Sequence, residues 1–160
     1  MKTKKIERKM MMMSVLFFLL FSFFTLNLHA QTAGRIERLL QTEAVTYEDA
    51  AALVLEAADV LTAPTTAAAF TYALGQGWLP RGIEARDTAR LDSLSLLIMK
   101  SFSINGGLLY GFTQNAHYAY RELVYLNVIQ GRNDPAMAVS GDLLLFMVNR
   151  LLSYQEVNQL

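Results

Sequence analysis

The stretches ARLDSLSLLIMK at 89–100 and VSGDLLLFMVNR at 139–150 resemble each other and carry the strongest helix pattern in this chain of 160 residues. They align at an offset of 50, with Asp92 on Asp142 and the apolar positions in register. Both carry apolar residues at the three- and four-residue spacing of a helix, and an acidic residue stands near each start. Each stretch therefore predicts a helix, and their likeness predicts an internal repeat.

The likeness extends beyond these two helices. The same offset of 50 places Phe70 on Tyr120 and Trp78 on Val128, so a preceding helix and its turn recur as well. The stretch TYEDAAALVLEA at 46–57 aligns with 89–100 at an offset of 43. The sequence thus predicts three helix–turn–helix repeats, the first abbreviated, at approximately 32–61, 64–103 and 114–155. Such helix pairs bury their apolar faces only by packing on their neighbours, which leaves grooves between the copies.

The local patterns predict an all-α protein. No stretch shows the strict alternation of a half-buried strand, and no glycine-rich phosphate loop follows a strand. Thr46 is the expected cap of its helix, with Asp49 at the third helical position. Helices are expected at 46–61, 65–76, 89–102, 116–127 and 140–152. The glycine-rich stretch 103–115 is expected to be a loop with room for a short strand at 108–110, and the end of the chain a polar tail.

The first 30 residues have the pattern of a secretory signal peptide. Residues 1–13 contain five basic residues and one acidic residue, 14–26 are almost wholly apolar, and Ala30 offers a small residue before the cleavage point. We therefore expect a signal peptide at 1–30 and one domain at 31–160, exported to the periplasm, cell envelope or cell surface. An uncleaved leader that serves as an anchor is the open alternative. No later apolar run is long enough to span a membrane.

Charge and composition exclude several functions. After the leader, nine basic residues face 13 acidic ones, a net charge of about −4, so the basic surface of a nucleic-acid-binding protein is missing. The chain has no cysteine, and His117 is the one histidine after the leader, so we expect neither a metal site nor a cofactor. No catalytic motif with recognisable spacing is present. The sequence therefore predicts a protein that is not an enzyme.

The repeats resemble the S-layer homology (SLH) family. An SLH unit runs from a helix through a turn with two apolar residues and a glycine to a helix that opens with T-R-A-E. The turn NVIQGRNDP at 127–135 is close to that pattern, and 118–152 is the best single copy. Helix openings occur at 46–49, 89–92 and 139–142. None has the full T-R-A-E, and Arg90 alone is assigned to its arginine.

The resemblance implies a fold, a ligand and a set of binding residues. Three SLH repeats form a pseudo-threefold helical bundle whose grooves hold cell-wall polysaccharide or peptidoglycan without catalysis. The family's motif arginine and turn residues contact that polymer. The candidate ligand-binding residues here are Arg90, Trp78, Arg81, Gln130, Gly131 and Arg132.

Each candidate also has a purely structural interpretation. Arg90 suits a carboxylate of the ligand, or it pairs with a neighbouring aspartate. Trp78 stacks on a sugar face, or it fills the core. Gly131 presents backbone donors, or it serves a turn of positive φ. The aromatic face of Tyr118, Tyr120, Arg121 and Tyr125 is expected to be core packing.

A second function remains open. The repeats could retain only the fold, in a periplasmic module that binds another envelope protein through an apolar groove. Glycan binding predicts a polar cleft lined by Arg90 and the turn arginines. Protein binding predicts an exposed apolar patch of several hundred Å² instead.

Overall fold

The computed structural model describes residues 34–62, 64–131 and 133–158. Within these ranges the regular structure is helical, with two isolated backbone bridges and no longer strand, which confirms the predicted all-α class. The predicted signal peptide and Arg132 lie outside the described residues. The helices are α1 (34–40), α2 (Tyr47–Ala57), α3 (Thr66–Gly75), α4 (Leu91–Ser101), α5 (Leu108–Thr113), α6 (Ala116–Tyr125) and α7 (Gly141–Asn158).

The chain divides into two units, residues 1–38 and residues 39–160. Of the first unit the structure describes 34–38, which are helical, and Arg38 Nε donates to the Gly34 carbonyl at 3.1 Å. The second unit contains α2 to α7 and the hydrophobic core.

The central helix of the second unit is α4. Nine of its 11 residues are buried, a pattern typical of a helix with neighbours on most sides. It packs against α6 and α2, and α2 packs in turn against α3 and α7. The buried hydroxyls of Ser95 and Ser101 donate to the carbonyls of Leu91 and Leu97, at 2.6 and 2.7 Å, so they need no partner outside their helix.

Three buried residues close a ring of backbone hydrogen bonds. The Val45 amide donates to the Val139 carbonyl (2.8 Å), Val139 to Ala89 (3.0 Å), and Ala89 back to Val45 (2.9 Å). All three residues are 0% exposed. A buried amide without a partner costs about 1–3 kcal/mol, so each of these three chain segments depends on the other two.

A helix begins two residues after each member of the ring. The first amides of α2, α4 and α7 have no carbonyl within their own helix, and each donates instead to a loop elsewhere in the chain. The pairs are Tyr47 to Asp87 (3.1 Å), Leu91 to Met137 (3.0 Å) and Gly141 to Thr42 (2.8 Å). The starts of these helices are therefore fixed by long-range contacts as well as by local sequence.

The ring corrects the alignment of the first stretch by one residue. Val45 and Ala89 are 44 residues apart, whereas the sequence alignment used an offset of 43. Glu48, and not Asp49, occupies the second helical position that Asp92 and Asp142 occupy in their helices. An acidic side chain at this position interacts favourably with the positive N-terminal end of the helix dipole, and all three helices have one there.

The predicted cap of α2 is confirmed. Thr46 Oγ1 accepts from the Asp49 amide at 3.2 Å and donates to Asp49 Oδ2 at 2.7 Å. The helix ends earlier than expected, at Ala57 instead of residue 61, because Asp59 takes a left-handed conformation with φ of 55°.

Two local expectations are wrong. Residues 108–110 belong to helix α5 and not to a strand; Tyr110 is buried there, 5% exposed. The polar end of the chain is helical to Asn158, where a polar tail was expected after residue 152. Gln155 Nε2 holds this last part of α7 by donating to the Phe102 carbonyl at 3.4 Å.

Gly141 leaves no space for a side chain, which gives a first prediction. A Cβ there would lie 1.7 Å from the Leu39 carbonyl oxygen, a backbone atom. We expect Gly141→Ala to lower the free energy of unfolding by about 2–3 kcal/mol, in the range of overpacked cores. Urea unfolding followed by far-UV circular dichroism measures this.

The matched control is Gly75→Ala in α3. Nothing lies within 4 Å of a Cβ there, so alanine should leave stability unchanged or raise it by about 0.5–1 kcal/mol. Equal unfolding midpoints for Gly141→Ala and the wild type would contradict the close approach.

Candidate functional site

Arg90 stands at the N-cap position of α4, where its side chain makes no capping hydrogen bond and pairs instead with Asp92. Its Nη2 donates to Asp92 Oδ2 at 2.8 Å and its Nε to Asp92 Oδ1 at 3.2 Å, while the side chain stays half exposed. The hydrogen bond with Asp92 raises the pKa of Arg90. The guanidinium nitrogens that would bind an anionic ligand are thus hydrogen-bonded to the neighbouring Asp92 carboxylate.

The position of Arg90 in its helix also differs from the family pattern. In T-R-A-E the threonine is the helix cap and the arginine the first helical residue. Arg90 occupies the cap position itself. The first residues of α2, α4 and α7, which correspond to the arginine of T-R-A-E, are Tyr47, Leu91 and Gly141. All three are buried.

The turn residues divide between core and surface. Trp78 is half-buried, with its ring edge-to-face on Tyr72 at 5.8 Å between centroids. Arg81 and Gln130 are exposed. The Gln130 carbonyl accepts from Asn133 Nδ2 at 2.9 Å.

Gly131 serves the conformation of its turn. Its φ is +83°, a backbone conformation that residues with a side chain rarely adopt. The space beside it is open, so the conformation and not a close contact accounts for the glycine at this position. The apolar residues of the two turns are packing residues: Leu79, Val128 and Ile129 are each at most 3% exposed.

A groove of 580 Å³ lies between α6 and the glycine loop that precedes α5. We call it the α6 groove. The four residues contributed by one face of α6 follow the i, i+3, i+4, i+7 spacing of neighbouring side chains on a helix. Its side-chain lining is Tyr118, Arg121, Glu122 and Tyr125 from α6, Leu126 after it, and Asn105 and Leu109 opposite.

Between Asn105 and Leu109 the opposite wall of the α6 groove includes two glycines without side chains. A Cβ on Gly107 would lie 3.0 Å from Glu122 Oε1, and a Cβ on Gly106 would lie 3.0 Å from Glu122 Cγ and 2.6 Å from the Tyr110 ring. Glycine at these two places therefore lets the loop approach α6 closely.

Apolar side chains project next to the α6 groove. Leu108, Leu109 and Phe112 of α5, which we call the α5 patch, are 81%, 55% and 87% exposed. The surrounding stretch 93–121 contains no acidic residue, although residues 31–160 are acidic overall. Its basic residues, Lys100 and Arg121, line cavities on either side of α5.

None of the predicted binding residues that the structure describes lines the α6 groove or the cavities around α5. The aromatic face of α6, expected to be core, is divided. The Tyr120 hydroxyl donates to the Asn133 carbonyl at 2.8 Å, whereas Tyr125 is 82% exposed. The helical spacing of Tyr118 and Tyr125, away from the buried Ala119 and Leu123, was the available signal.

Comparison of the chain with protein-family models, with curated proteins and with solved structures found no match. In the part of the chain that the structure describes, no three His, Asp or Glu side chains are grouped to hold a metal ion. Over the same residues, no helix combines the length and apolar character needed to cross a membrane.

Tyr110 provides a test of the packing beneath α5. Burial raises its pKa above the ordinary value of 10.0, and the charge of Glu122 raises it further. The unfolded chain ionises first, so stability should fall as pH rises above about 10. We expect Glu122→Gln to lower the Tyr110 pKa without restoring it fully, because burial remains. An NMR titration of the Tyr110 ring carbons measures the shift.

The control for this titration is Glu43→Gln, which removes a carboxylate that does not influence Tyr110. An unchanged Tyr110 pKa in Glu122→Gln would show that the carboxylate and the phenol do not interact.

Proposed function

We propose that the second unit is built from three SLH-like repeats related by a pseudo-threefold axis. The observation that supports this is the closed ring of Val45, Ala89 and Val139, in which each residue donates to one member and accepts from the other. Equal roles at three chain positions are what three copies around one axis require. The helix starts that follow at Tyr47, Leu91 and Gly141 repeat the relation.

On this fold the protein is a non-catalytic module of the cell envelope. It is exported by its leader, binds cell-wall polysaccharide or peptidoglycan, and anchors or adapts there. Two observations support this proposal: the repeats resemble the SLH family in sequence, and the ring of Val45, Ala89 and Val139 gives three chain segments equal roles. The exposed Arg81 and Gln130 remain available to a polymer, and Arg90 would have to exchange Asp92 for its ligand.

Co-sedimentation with purified cell-wall sacculi tests this function. We expect the protein to sediment with intact walls. It should be released when the polysaccharide attached to the peptidoglycan is stripped or when the peptidoglycan itself is digested. Absence from the pellet with every wall preparation would contradict glycan binding. Arg90→Ala tests the motif arginine: retention at the wild-type level would remove it from the binding residues.

The α5 patch favours a second function, a periplasmic protein–protein interaction module. Leu108 and Phe112 are more than four-fifths exposed, and large apolar side chains grouped at one place mark interaction surfaces. The partner would be an envelope protein with an apolar surface of its own.

The two functions differ in their response to Phe112→Ser. If a protein partner holds the module, this variant should be lost from membrane-envelope fractions freed of polysaccharide, while Arg81→Ala is retained. If glycan alone holds it, wild type and Phe112→Ser should both be absent from those fractions. Quantitative immunoblotting of the fractions distinguishes the two results.

A further inference from the structure

We propose that the α6 groove is a saccharide-binding site, which would bind a strand of linked pyranose rings that carry acetamido or carboxyl groups. The inference rests on the proposed glycan-binding function and gives it a site that the repeat motifs do not contain. It is carried by the aromatic, charged and amide side chains that the structure brings together there.

The two tyrosines supply stacking surfaces at a suitable spacing. Tyr118 and Tyr125 lie seven residues apart on one face of α6 and both line the groove. Seven residues of helix rise about 10.5 Å, close to the length of two linked pyranose rings. Aromatic rings present a flat apolar face with a polar hydroxyl at one end, which suits the C–H face and the hydroxyl rim of a sugar.

The polar side chains between the tyrosines cover the other sugar groups. Arg121 offers five N–H donors in a planar fork, which matches hydroxyl pairs and carboxylates. Glu122 accepts hydrogen bonds from hydroxyls or an acetamido N–H. The Asn105 amide on the opposite wall both donates and accepts.

The same side chains disfavour other occupants of the groove. A lipid surface or an apolar protein segment would cover Arg121 and Glu122 together, and burying charges away from water is costly unless they are well paired. The α5 patch shares Leu109 with the groove and lacks charged side chains. Phe112 belongs to the patch and does not line the groove, so a change at Phe112 tests the patch separately.

The experiment is a calorimetric titration of the full chain with the β-1,4-linked tetrasaccharide of N-acetylglucosamine, accompanied by co-sedimentation with sacculi. We expect Tyr125→Ala and Arg121→Ala each to weaken binding on the order of tenfold, which corresponds to about 1.4 kcal/mol. Tyr125→Phe, which keeps the ring, should stay within about twofold of the wild type. Both side chains are exposed, so the variants should fold, which circular dichroism checks.

The controls are Arg86→Ala, which removes an exposed arginine that lines no part of the groove, and Phe112→Ser in the α5 patch, and both should bind as the wild type does. Binding by the wild type that is equal in Tyr125→Ala and Arg121→Ala would overturn the groove assignment and leave glycan binding intact. Loss of binding in Phe112→Ser alone would assign saccharide binding to the α5 patch, and this result would also overturn the assignment to the groove. A wild type that binds neither the tetrasaccharide nor sacculi would overturn the proposed function, and the groove assignment with it.

Discussion

The three backbone hydrogen bonds that join Val45, Ala89 and Val139 are the constraint on which the second unit depends. The three segments are 44 and 50 residues apart in the chain, so closing the ring orders long loops at a considerable entropic cost. Two segments without the third leave one buried amide and one buried carbonyl unpaired. We therefore expect the ring to form as a unit, and the starts of α2, α4 and α7 each follow two residues after one of its members.

The helices could be predicted because their signals are local. Apolar spacing identified α2, α3, α4, α6 and α7, and the Thr46 cap gave the start of α2 correctly. The register between the aligned stretches 46–57 and 89–100 could not be predicted, since apolar residues match almost as well one position away. The backbone hydrogen bond between Val45 and Ala89 favours an offset of 44. Helix α5 was missed because it is short, follows two glycines and contains a third at Gly111, and because its position depends on the tertiary contacts of Tyr110. The last turns of α7 depend likewise on Gln155 reaching Phe102.

The candidate sites show the same division between local and tertiary information. The sequence offered Arg90 as a ligand contact or as the partner of an aspartate, and the fork bound to Asp92 supports the second interpretation without a ligand present. Trp78 is likewise partly a packing residue. The α6 groove was missed because its opposite wall is the 105–107 loop, whose close approach to Glu122 depends on glycines that read, in sequence, as irregular structure. Tyr118 and Tyr125 line one groove only because the 105–107 loop forms its other side.

Native-state hydrogen exchange of the Val45, Ala89 and Val139 amides tests whether the three segments depend on one another. If the ring is a cooperative element on which the fold depends, all three amides should exchange only through global unfolding, with one common free energy equal to that from urea unfolding. If any one of the three exchanged through a local opening of much lower free energy while the other two stayed protected, the three segments would not be interdependent.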